Sequence, residues 1–133
     1  MSRQKFSVVP GIYAVCRLPA DHPIPFWATA PGGFTSVTRT ADELSIICEE
    51  GRVPAPQPDT FRGEGGYVLL KVHGPFPLDA VGILAAIAKP LADAGIPLLT
   101  LGTFDTDYLL VKRLQAARAI VALRHAGHTL AED

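Results

Sequence analysis

The stretch from Tyr67 to Val111, YVLLKVHGPFPLDAVGILAAIAKPLADAGIPLLTLGTFDTDYLLV, constrains the fold more than any other part of the chain, because its hydrophobic period changes twice. Tyr67 to His73 alternates, with Val68, Leu70 and Val72 on one face, as a half-buried strand does. Val81, Leu84, Ala88 and Leu91 then recur at helical spacing with Ile87 alongside, so an amphipathic helix is expected over residues 79–94. Asp79 suits its N-cap, Gly95 suits the left-handed residue that ends it, and Pro90 predicts a kink or a loosened last turn. Leu98 to Thr103 and Tyr108 to Lys112 form a hairpin that turns at Thr103-Phe104-Asp105-Thr106-Asp107. Leu114, Ala117, Ile120, Val121 and Leu123 mark a second helix, ended by Gly127, and His128-Thr129-Leu130 is a short last strand. Residues 67–130 therefore read β-α-β-β-α-β. Right-handed crossovers fold that order into an antiparallel sheet with both helices on one face, an α+β, ferredoxin-like sandwich.

The first half is a weaker copy of the same order. A polar start leads into a strand at Ile12 to Leu18, with Ile12, Ala14, Cys16 and Leu18 on one face. The Pro- and Gly-rich segment that follows has room for one helical turn, around Phe26 to Ala30. Phe34 to Arg39 and Leu44 to Glu49 are β-branched runs joined by Thr40-Ala41-Asp42-Glu43, a hairpin spacing. Gly51 to Gly66 (GRVPAPQPDTFRGEGG) is the densest in Pro and Gly, reads as too polar for a core element, and marks an internal boundary. Two tandem repeats are expected, residues 1–61 with both helices eroded and residues 62–133 complete. Phe34–Ile47 lies over Leu98–Val111 without a gap, placing Glu43 on Asp107 and Leu44 on Tyr108.

At 133 residues the chain can bury a core without disulfides or metals, and 48% hydrophobic residues supply it. A net charge of −1 leaves no basic footprint, so nucleic acid is not an expected partner. Cys16 and Cys48 stand in strands outside any metal-ligand or C-x-x-C spacing and read as buried free thiols. The N-terminus lacks the apolar segment of a signal peptide and no apolar run is long enough to span a bilayer, so the expectation is cytoplasmic, with no membrane partner.

Chemistry concentrates at two places. With Asp79 as N-cap, the amides of Ala80, Val81 and Gly82 have no partner within the helix, and such helix starts bind anions. Gly82 has no Cβ, so a carboxylate can approach the backbone closely; alternatively it lets the helix pack against the sheet. Asp107, at the start of the second hairpin strand, can hold an amino group by a charge-assisted hydrogen bond, or can cap backbone amides in the turn. Thr103 and Phe104 would add a hydroxyl, backbone groups and an aromatic wall. Together these define a pocket for a small zwitterion, most simply an amino acid. Catalysis is not expected: His22, His73, His125 and His128 are scattered, and no phosphate-binding glycine motif is present. His73-Gly74 ends the central strand without an evident acid partner, and His125 and His128 suit a helix C-terminus. No cofactor or metal site is expected. The competing readings are a structural pairing module with a vestigial site, and a small enzyme using His73 or Cys48.

The run GILAAIAKPLADAGIPLLTLGTFDTDYLLV resembles an ACT domain of the subgroup found in CASTOR-type arginine sensors and in the regulatory part of aspartate kinases. The resemblance rests on G-I-L at the first helix, A-G-I before the second strand and T-F-x-T-D-Y-x-L-V across the hairpin, and covers residues 67–130. SVTRTADELSII is similar to the divergent partner repeat of small bacterial tandem ACT proteins. The resemblance implies amino-acid binding without chemistry at an interface between ACT units, and hence a homo-oligomer. It also implies that Gly82 and Ile83 meet the ligand through backbone, and that Thr103, Phe104 and Asp107 line the other side. No kinase is attached, so a separate protein target would have to receive the signal. Arg39-Thr40 stands where the second repeat has Thr103-Phe104, so an equivalent second site is not expected.

Overall fold

The computed structural model describes residues 3–55 and 61–131. Among these residues seven strands and two α-helices follow in order: β1 (Lys5–Leu18), β2 (Thr35–Arg39), β3 (Leu44–Glu49), β4 (Arg62–Val72), α1 (Ile83–Asp93), β5 (Leu99–Gly102), β6 (Asp107–Lys112), α2 (Ala116–His125) and β7 (Thr129–Leu130). They divide into two compact units, residues 11–67 and residues 1–10 with 68–133.

In the unit of residues 11–67 the strands lie in the order β2-β3-β1-β4. Where a ferredoxin-like unit carries its two helices, this one has single 3₁₀ turns, Phe26–Ala28 and Glu50–Arg52. Both sites are too short of apolar residues at helical spacing to cover a sheet with a full helix. The core instead closes with Ala14, Cys16, Leu18, Leu44, Ile46 and Cys48 against Ala28 and Phe61, and Trp27 meets the Phe61 ring edge-on at 5.8 Å. Phe61, which is buried, and residues 62–66, which form the start of β4, correct the expectation that Gly51–Gly66 is a connector without a core role. Polarity there is real, but strand edges tolerate it, and one aromatic residue is enough to anchor the segment. Residues 56–60 of that segment lie outside the described residues.

In the other unit, β4, β5 and β6 form the order β4-β6-β5, and the first residues of β1 stand between β4 and β7. Lys5 and Phe6 of β1 pair in parallel with Thr129 and Leu130 of β7. The amide of His73 donates to the Lys5 carbonyl at 2.8 Å. Residues 3–10 thus belong to the second unit, whereas the expected boundary at 61/62 placed them with the first. Alternation in a sequence shows which face a strand buries, not which sheet it joins. The strand also begins seven residues before the expected Ile12, running through Pro10 and Gly11.

α1 packs against α2, and α2 against β6 and β7, so the ferredoxin-like arrangement holds. The buried stripe of α1 is Ala86, Ile87 and Leu91: of the expected Val81, Leu84, Ala88 and Leu91 with Ile87 alongside, Leu91 and Ile87 are buried, and Ala86 takes the place of the rest. Val81 lies before the helix and is 93% exposed. On α2, Ala119 and Leu123 are buried, while Leu114 sits in a preceding 3₁₀ turn at 93% exposure. Gly95 takes a φ of +73° past the end of α1, as expected.

Pro90 lies inside α1 without ending it. A proline at this position cannot donate to the carbonyl four residues earlier, that of Ala86. His128 supplies the missing donor: its Nε2 lies 2.8 Å from Ala86 O, and its Nδ1 accepts from the Gln4 amide at 3.0 Å. Because Gln4 N–H must donate, the ring is the neutral tautomer with hydrogen on Nε2. At 4% exposure His128 is a buried staple joining β1, β7 and α1. Its expected role as a helix C-terminal cap is served instead by its backbone amide, which donates to Leu123 O at 3.0 Å.

Both hairpins close with the same four-residue loop. Thr40 N donates to Glu43 O at 2.9 Å, and Thr103 N to Thr106 O at 2.8 Å. In each turn the threonine Oγ1 also accepts from the amide three residues on, at 3.1 Å from Glu43 and 3.3 Å from Thr106. The ladders end at Arg39↔Leu44 and Gly102↔Asp107. The gapless overlay is therefore one residue out of register: Thr40 corresponds to Thr103, and Leu44, not Glu43, to Asp107. A repeat this divergent fixes its register by turn chemistry rather than by apolar pattern.

Candidate functional site

A cleft of about 300 Å³ opens between the start of α1 and the β5–β6 turn. All five residues expected at the site, Gly82, Ile83, Thr103, Phe104 and Asp107, line it. Asp79, expected as N-cap, does not. Ala80 N–H instead closes a turn onto Pro77 O at 3.0 Å, and the chain enters the helix through Gly82, with φ +85°. That left-handed conformation is what demands glycine here, since an added Cβ would meet nothing within 4 Å. Close packing of Gly82 on the sheet is therefore not its role.

The first α-type bond runs from Ala86 N to Gly82 O at 3.0 Å. The amides of Ile83, Leu84 and Ala85, all lining the cleft, precede it and have no acceptor within the helix. The positive end of α1 thus lies three residues later than the sequence suggests. An N-cap glycine has no side chain to occupy those donors, so they stay open to a ligand.

Across the cleft, Asp107 is half-buried at the first position of β6. Capping of the turn falls to Thr103, whose Oγ1 donates to Thr106 O at 3.1 Å and accepts from Thr106 N. That leaves Asp107 out of the turn's own hydrogen bonding and commits the Thr103 hydroxyl hydrogen to the backbone. The expected hydroxyl donor to a ligand is therefore already engaged. Phe104 is 76% exposed at the rim, an uncovered aromatic face.

Sequence reasoning missed the third wall, Phe76, Pro77 and Leu78, on the loop after β4. Its signal was present in HGPFPLD, where two prolines exclude both strand and helix. The loop is fixed to the hairpin turn. Phe76 N–H donates to Asp105 O at 2.7 Å, and the buried Thr106 donates through Oγ1 to Val72 O. At Gly74 a Cβ would stand 2.3 Å from the Asp105 carbonyl oxygen, so only glycine permits this approach.

Elsewhere, Cys16 and Cys48 are buried free thiols. Burial, with Cys48 nearby, pushes the Cys16 thiol up to about 11; burial raises Cys48 as well. Both shifts suppress the thiolate needed for nucleophilic chemistry. Among the described residues no group of three or more His, Cys, Asp or Glu is placed to hold a metal ion. No helix among them is long and apolar enough to cross a membrane.

A βαββαβ unit with its cleft at the first helix and the middle hairpin defines an ACT-type module. A family model described as an ACT domain matches residues 62–125, and one described as an N-terminal domain matches residues 11–56. The chain belongs to the ACT domain family. A crystal structure of an Agobacterium tumefaciens protein is 39% identical, with a TM-score of 0.89, and the match covers 100% of this chain and 96% of that one. A Vibrio cholerae protein of unknown function is 21% identical, with a TM-score of 0.69 and coverage of 92% and 89%. Aspartate kinase from Clostridium acetobutylicum, described as an allosteric enzyme, is 12% identical, with a TM-score of 0.67. Its match covers 91% of this chain and 34% of the kinase. No protein among those of curated function matches.

Proposed function

We propose that this protein is a non-catalytic regulatory module whose cleft binds an amino acid or a similar small zwitterion. The reading is supported by one cleft being lined both by Ile83, Leu84 and Ala85, whose amides have no acceptor within the helix, and by Asp107. The amides and the helix dipole suit an α-carboxylate, and Asp107 suits an α-ammonium. A volume of about 300 Å³ is at the small end of ligand pockets and fits such a molecule. Among the described residues the charged ones lining the cleft are Asp105 and Asp107, so a ligand with an acidic side chain is disfavoured.

Leu78, Val81 and Phe104 are exposed around the cleft. Apolar side chains left bare beside a ligand site support a covering surface from a second copy, and a homodimer in the cytoplasm reporting to a separate protein target is the assembly we infer. The chain is read as two tandem repeats that meet near residues 61–62 in sequence, with residues 3–10 packed in the second unit, and the first repeat has Leu44 where the second has the Asp107 carboxylate.

Calorimetry against the twenty amino acids tests the proposal. A ligand at 100-fold excess over its Kd adds about 2.7 kcal/mol to stability, which a thermal melt resolves. Asp107→Asn should abolish that gain while leaving the fold and oligomeric state unchanged. Flat titrations with every amino acid at millimolar concentration would favour the pairing-module reading instead.

A further inference from the structure

We infer a second ligand site, for a small carboxylate or phosphate, between the end of β4 and the β5–β6 turn. A cleft of about 270 Å³ is lined there by Lys71, His73, Gly74, Pro75, Asp105 and Thr106. Lys71 and His73 are two residues apart on β4 and just beyond it, so their side chains leave the same face of the strand. Among the described residues Lys71 has no ion-pair partner: the ion pairs are Arg52–Glu49 and Lys89–Asp93. His73 is held in place by Ser7, with Nε2 2.8 Å from Ser7 Oγ. Ser7 is 3% exposed and does not line the cleft, so the pair orients the ring and is not placed to act as a nucleophile and base.

A half-buried lysine beside a fixed imidazole, in a cleft with room for several heavy atoms, is an anion-binding arrangement. Thr106 lies in the wall but has its hydroxyl hydrogen committed to Val72 O, which leaves recognition to Lys71 and His73. Asp105, the acidic residue among those lining this cleft, also lines the zwitterion cleft, whose lining residues include no Lys, Arg or His.

The test is a ¹H–¹⁵N NMR titration of the full chain with sodium phosphate and, separately, sodium succinate, each at constant ionic strength. Saturable shifts at Lys71, His73, Gly74 and Thr106 are expected, and the tighter of the two anions identifies the ligand class. Lys71→Met should weaken binding roughly tenfold, as loss of a hydrogen bond to a charged group does. Asp105→Asn should tighten it, and Asp107→Asn should leave it unchanged, which separates this site from the proposed amino-acid cleft. Linear, non-saturating shifts with both anions would overturn the inference, as would unchanged affinity in Lys71→Met. Weaker binding in Asp105→Asn would rule out an anion as the ligand.

Discussion

The bond between His128 and Ala86 predicts an energetic coupling between two residues far apart in sequence, His128 and Pro90. Replacing His128 by Leu removes both ring bonds, Nε2 to Ala86 O and Nδ1 to the Gln4 amide. The Ala86 carbonyl is buried, and Pro90 offers it no replacement. Leaving a buried backbone group unpaired costs about 1–3 kcal/mol, and the Gln4 amide, only partly buried, less. The expected loss is therefore about 2–4 kcal/mol. In a Pro90→Ala background the amide of residue 90 can reach Ala86 O and complete the helix. The same His128→Leu change should then cost about 1–2 kcal/mol less. Urea unfolding of the four proteins in the cycle measures this, provided m is unchanged across the set. Costs that add to within about 0.5 kcal/mol would refute the idea that His128 stands in for the missing proline donor. The coupling bears on function as well. Ala86 directly follows the open amides of Ile83 to Ala85, so loosening it should misplace the helix start that faces Asp107.

Three further outcomes follow from single positions. Gly74→Ala should destabilise the protein by about 1–3 kcal/mol in the same assay, because the new Cβ meets the Asp105 carbonyl at 2.3 Å and must part the loop from the turn. Gly82→Ala should cost about 1–2 kcal/mol through its φ of +85° alone; a larger loss would mean that packing, not backbone conformation, selects glycine there. Cys16 should resist alkylation by iodoacetamide at pH 8 until the protein unfolds. Its folded pKa of about 11 lies above the ordinary 9.0, so between those values the folded state binds more protons than the unfolded one. Its contribution to stability is therefore present below pH 9.0 and falls as pH rises toward about 11, so a Cys16→Ala variant, which keeps only the raised Cys48 thiol, should lose less stability over that range.

The parts of the site legible beforehand were those dictated by short-range chemistry. Asp107 and Thr103 stand where a strand-turn-strand pattern puts them, and Gly82 lies in the only segment able to start the helix. The helix start was misplaced because Asp79 is a good N-cap by type, while Pro77 and Ala80 spend the intervening residues on a separate turn. Val81 and Leu114 depart from expectation for a related reason: each fits an apolar period, yet each lies outside the α-helix it would extend.

Sequence alone determined the element order of residues 67–130 and the meeting of a helix start with an acidic turn, since periodicity, turn residues and chain direction are all local. Tertiary structure decided which unit the first ten residues join, the partner of His128 and the approach of Gly74 to Asp105. Each of those depends on contacts between residues tens of positions apart, and nothing in the local pattern of either partner encodes the other.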